Sequence, residues 1–112
     1  MEQAVKKLQK EFGCAVLCKG GHSQTHANDV LYTPDAGMIW FRQERISNRN
    51  THGTGCTLSS AIACGLAKGD SLTDAVANAK VFMTNILKSN LDLGHGNGPL
   101  DHGFALHHPE KI

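Results

Sequence analysis

Apolar positions along the chain change period as it proceeds, and each change marks an element. Val5, Leu8 and Phe12 recur at helical spacing, with Lys6, Lys7, Gln9 and Lys10 filling the other face, so the pattern predicts a first helix. Gly13 follows where a C-cap glycine belongs. The next stretch, "CAVLCKGG", is a short continuous apolar run ending in glycines, which suits a buried parallel strand feeding a loop. Helix, glycine and buried strand in that order indicate an α/β fold.

"DVLYTPDAGMIWFRQERI" reads as two strands joined by the turn "PDAG". Pro34 presets the turn, Asp35 has a side chain able to bond its own backbone, and Gly37 suits the exit. After "GTG" a helix is predicted from about Cys56 to Ala67, ended by Gly69. Its Ala61, Ile62, Ala63, Cys64, Gly65 and Ala67 are mostly small and favour close packing on a sheet. Cys64 is expected in that packed core, and Cys14 and Cys18 flank the buried strand. A further helix restarts at "DSLTDAVANAKVFMTNILKSN", with Ser71 as N-cap and Asp74 three residues on, a variant of the capping box. Leu72, Ala75, Val76, Ala79, Phe82, Met83 and Ile86 form its apolar stripe. The tail "LGHGNGPLDH" is too glycine-rich for regular structure and reads as a loop, with His107 and His108 frayed beyond it. One buried strand and a hairpin against three helices is few strands for a doubly wound sheet, so the pattern suggests part of something larger.

Composition narrows the function classes. The 112 residues are 40% apolar and 19% charged, with a formal charge of +1. That is an ordinary globular composition, and it holds no basic stripe for nucleic acid or an anionic membrane. No apolar run approaches the ~20 residues of a spanning helix, and no signal-peptide pattern opens the chain, so the expected location is cytoplasmic. The four cysteines lack CxxC spacing, which argues against structural zinc and thiol–disulfide chemistry and for free thiols. The seven histidines are scattered, without an HExxH arrangement, and no metal ligand is assigned.

The candidate chemistry lies at "NTHGTGCTLSSAIACG", Asn50 to Gly65. A glycine turn entering a helix is an anion site: first-turn N–H groups lack helical partners, and the dipole adds roughly half a positive charge. Gly53 and Gly55 carry no Cβ to keep a phosphate away. A helix start stabilises negative charge on a thiolate as on a phosphate, so Cys56 there is suited to accept a proton from a hydroxyl. The stretch is not a Walker A loop, because Gly-Lys-Ser/Thr is absent. Alone, "GTGC" leaves two readings open, a reactive thiol aimed at a phosphate or a buried thiol that merely fits.

The wider stretch "NTHGTGCTLSSAIACGLAKG" resembles the signature of the hydroxymethylpyrimidine/phosphomethylpyrimidine kinases of thiamine biosynthesis, within the ribokinase-like superfamily. "VLCKGGH" with "DVLY" upstream and "GHGNGPLDH" downstream fit in the same order, so the resemblance runs from about Val5 to His102. In sugar kinases of that superfamily an aspartate usually takes the place of the cysteine, which points here to pyrimidine, thiazole or some pyridoxal kinases.

The resemblance implies a ribokinase-like three-layer α/β/α fold. The chain, residues 1–112, is then a single domain forming its C-terminal, nucleotide-side portion: a partial sheet with a β-hairpin and flanking helices. It implies ATP and Mg²⁺, and phosphorylation of 4-amino-5-hydroxymethyl-2-methylpyrimidine and then of its monophosphate, by a homo-oligomer. Carried over by position, Cys56 is the general base, and Gly53, Thr54 and Gly55 are the anion hole. Lys19 neutralises ATP phosphates, Gly20 and Gly21 give clearance, and Thr51 and His52 lie beside the nucleotide. The family's enzymes are longer, and the strands with most pyrimidine contacts and the Mg²⁺-associated acidic residues have no counterpart here. Two alternatives stay open: a pyridoxal or thiazole kinase of the same superfamily, and a non-catalytic fragment that self-associates through an unpaired sheet edge.

Overall fold

Helix α1, Glu2–Phe12, ends at Gly13, whose φ of 67° is the left-handed C-cap; its N–H returns to the carbonyl of Gln9. In the computed structural model of the chain, residues 1–20, 27–44, 46, 53–89, 93–96 and 98–107 are described. They belong to two compact units, Met1–Arg45 and Ile46–Ile112.

The first unit sets α1 against a three-stranded sheet of β1 Val16–Cys18, β2 Asp29–Thr33 and β3 Gly37–Phe41, in the order β1-β2-β3. The predicted hairpin is present: β2 and β3 pair antiparallel from Asp29↔Phe41 to Thr33↔Gly37. Its turn is closed by the Thr33 hydroxyl, which accepts the N–H of Ala36 at 2.9 Å. Central β2 buries Asp29, Val30, Leu31 and Thr33. Full burial of Val30 and Leu31 stabilises this small unit by about 1.5–3 kcal/mol each. Trp40 on β3 donates its indole N–H to Glu2 Oε1 at 3.1 Å, which ties the sheet to the start of α1, and Arg42 lies 5.3 Å over its ring.

Two expectations change here. The strand expected to be buried and parallel, β1, is half-buried and pairs antiparallel with β2, in the register Val16↔Tyr32 to Cys18↔Val30. A continuous apolar run reports apolar surroundings on both faces and carries no information on strand direction. In the α1 stripe only Val5 is buried, while Leu8 and Phe12 are 41% and 66% exposed. Periodicity identifies an apolar face without saying what covers it.

The second unit pairs α2, Thr54–Ala67, with α3, Leu72–Lys88, and adds a short α4, Phe104–His107, where fraying was expected. Helix α3 follows its sequence closely. The Ser71 hydroxyl accepts the N–H of Asp74 at 3.2 Å, and Ala75, Val76, Ala79, Met83 and Ile86 are buried, with Leu72 and Phe82 half-buried. Within the second unit α2 packs on α3. At Gly65 the two helices touch so closely that a Cβ would lie 3.0 Å from that of Ala75. The stretch Leu93–Gly96 is irregular, as its glycines predicted, and Leu100 anchors the chain into the core before α4.

Candidate functional site

The chain enters α2 through Gly53, whose φ of 82° lies in the left-handed region that side chains avoid. The first helical hydrogen bond runs from the N–H of Thr57 to the carbonyl of Gly53, at 2.9 Å. Thr54, Gly55 and Cys56 therefore all lie in the first turn, ahead of any i−4 carbonyl inside the helix. The helix starts two residues earlier than its sequence predicted, because one left-handed glycine suffices and Gly55 takes helical geometry. As N-cap, Gly53 has no side chain to accept an N–H, and α2 has no side-chain cap. A Cβ at Gly55 would meet nothing, and Cys56 is exposed. The result is a helix start without a side-chain cap and, among the described residues, with no atom crowding Gly53 or Gly55, which suits an anionic group.

A groove of about 900 Å³ runs along α2 and α3 from this turn; Cys56, Thr57, Cys64, Lys68, Phe82 and His102 line it. Cys64 is thus an exposed groove residue, and the expectation of a core thiol does not hold. All four cysteines are free. His102 is a participant the sequence did not single out: its Nε2 lies 2.8 Å from the Thr57 hydroxyl, pinning the segment after Leu100 to the first turn of α2. A separation of forty-five positions hides that pairing from any local pattern.

Lys19 belongs to the other unit, directly after β1, and its side chain is exposed. Gly20 is held by its N–H, which donates to Asp29 Oδ1 at 3.0 Å. The candidate residues Gly21, Thr51 and His52 lie outside the described residues. So Gly53, Thr54, Gly55 and Cys56 are brought together at one helix start in the second unit, while Lys19 and Gly20 follow β1 in the first. Among the described residues no group of three or more His, Cys, Asp or Glu is placed to hold a metal ion, and no helix is long and apolar enough to cross a membrane.

This arrangement coincides with a family match. The sequence profile described as phosphomethylpyrimidine kinase covers residues 1–101. The chain belongs to the phosphomethylpyrimidine kinase family. Among relatives in this family, the hydroxymethylpyrimidine/phosphomethylpyrimidine kinase of Streptomyces coelicolor is 52% identical over 90 residues, which are 80% of this chain and 33% of that protein. The thiamine biosynthetic bifunctional enzyme TH1, chloroplastic, of Arabidopsis thaliana is 43% identical over 110 residues, 95% of this chain and 21% of that enzyme. The fold matches the pyridoxal kinase of Staphylococcus aureus in complex with AMP-PCP, with a TM-score of 0.84 and 28% identity over 93% of this chain and 38% of that one. An ADP complex of Bacillus subtilis pyridoxal kinase matches with a TM-score of 0.82 and 32% identity, over 94% and 41%. These neighbours make the fold a partial ribokinase-like α/β domain. The chain spans a third of its Streptomyces relative.

Proposed function

We propose that the chain supplies the nucleotide-phosphate side of an ATP-dependent kinase acting on hydroxymethylpyrimidine and its monophosphate. The observation that carries this reading is the left-handed Gly53 leading into an uncapped α2 whose first turn exposes Cys56. In this reading the N–H groups of the N-cap Gly53 and of Thr54 and Gly55 in the first turn hold charge on the transferring phosphoryl group. The Cys56 thiolate takes the proton of the acceptor hydroxymethyl group as its oxygen bonds to the γ-phosphorus and the bond to ADP breaks. The cationic Lys19, with Gly20, neutralises the ATP phosphates. Phosphoryl transfer depends chiefly on position and charge, which this inventory supplies. Mg²⁺ would add charge neutralisation at the phosphates; the described residues offer no cluster for it, and no step is assigned to it.

A pyridoxal kinase is the second reading, favoured by the structural neighbours. Their identity is 28–32%, against 52% for the Streptomyces hydroxymethylpyrimidine/phosphomethylpyrimidine kinase, so the pyrimidine acceptor is preferred. The test grafts this chain in place of the matching segment of the Streptomyces enzyme and offers both acceptors with ATP. Transfer to hydroxymethylpyrimidine is expected, falling about 10²–10⁴-fold in Cys56→Ala. Transfer only to pyridoxal would select the second reading, and undiminished transfer in Cys56→Ala would remove the proposed base.

A further inference from the structure

Aspartate is depleted from strands and costly to bury, yet Asp29 opens the central strand β2 opposite Phe41 and is 2% exposed. Its Oδ1 accepts the N–H of Gly20 at 3.0 Å. A second, independent contact fixes the same residue: a Cβ on Gly20 would run into the backbone carbonyl oxygen of Asn28, an approach that only glycine permits. The platform under Gly20 is itself anchored to the strand beyond. Asn28 Oδ1 accepts the N–H of Gln43 at 2.8 Å, and Ala27 donates to the Gln43 carbonyl at 2.8 Å, prolonging the hairpin past its strand ends. Lys19 is the residue between the end of β1 and this clamp, with its side chain in solvent.

We infer that Asp29 is a positioning residue: its buried carboxylate clamps Gly20, and through Gly20 it fixes the backbone that presents Lys19 to an anionic ligand. A lysine loses rotamer freedom when it binds a phosphate, and a fixed backbone under it limits what else must be ordered. The clamp works by hydrogen-bond acceptance, so an amide oxygen substitutes for the carboxylate and a methyl group does not. The inference rests on the reading that Lys19 meets nucleotide phosphates, and its test keeps the two apart.

The test compares the unaltered chain with Asp29→Ala, Asp29→Asn and Lys19→Ala by amide hydrogen exchange and by titration with Mg-ATP. In Asp29→Ala the Gly20 amide is expected to exchange at least about tenfold faster relative to the amides of α3, and affinity for Mg-ATP to fall about tenfold. In Asp29→Asn protection and affinity are retained, while the Gly20 amide proton moves upfield as a charged acceptor becomes neutral. The Asn variant keeps the test decisive if the Ala variant does not fold. Unchanged Gly20 exchange in Asp29→Ala, or an unmoved Gly20 resonance in Asp29→Asn, would overturn the clamp. Loss of affinity in proportion to lost folding alone would reduce Asp29 to a structural role and overturn the positioning claim. Full affinity in Lys19→Ala, with the Gly20 effects intact, would instead overturn the phosphate role of Lys19.

Discussion

Helices α2 and α3 lie side by side in one unit and are built on opposite principles. Helix α3 is capped by Ser71, carries a polar face and buries five residues of one stripe. Helix α2 has an N-cap glycine without a side-chain bond, is rich in small apolar residues all round and buries only Leu58 among them. A helix apolar on every side is ordinarily enclosed. Here Ala63, Cys64, Leu66 and Ala67 are exposed in a chain that spans 33% of its Streptomyces relative. The contrast is that α3 stabilises its own unit through a buried stripe, while α2 leaves much of its apolar surface exposed and has no side-chain cap.

That comparison breaks most sharply in the core. Ile86→Ala on α3 is expected to lower unfolding stability by about 2–5 kcal/mol, because Ile86 is 1% exposed. Leu66→Ala on α2 is expected to stay within about 0.5 kcal/mol. Chemical denaturation of the isolated chain measures both; equal losses would mean α2 is as locally buried as α3. Smaller is the cap. Ser71→Ala should cost about 1 kcal/mol by losing the bond to Asp74, read as a lower denaturation midpoint. No side-chain change at the start of α2 has a comparable cap to lose. The smallest effect concerns a side-chain tether at that end: Thr57→Val removes the bond to His102 and should cost about 0.5 kcal/mol. A shift of the Leu100–His102 amides in the NMR spectrum, without a shift in α3, would locate that loss.

Local signals carried much of this architecture. The Ser71 cap, the α3 stripe, the hairpin around Pro34 and the glycine at the end of α1 each depend on residues within one turn or two of one another. The direction of β1 was not legible, because pairing with β2 is settled by chain path and not by the apolar run itself. The contact of α2 with α3 was not legible for a related reason: small residues promise close packing but do not name the surface, and Gly65 meets Ala75 of α3. At the candidate site, Gly53 through Cys56 were legible as a glycine turn into a helix. Asp29 and His102 were not, since each acts across nine or more residues on a group that carries no motif of its own.

The proposed function holds that the start of α2 binds nucleotide phosphate, and that the Lys19–Gly20 stretch of the first unit does so as well. Titrating Mg-ATP into isotope-labelled chain and following its amide resonances tests it most directly. Saturable shifts confined to Lys19–Gly20 and Gly53–Thr57 are the predicted result, with the capped start of α3 at Ser71–Asp74 unmoved. Shifts absent from Gly53–Thr57, or equal at both helix starts, would contradict it.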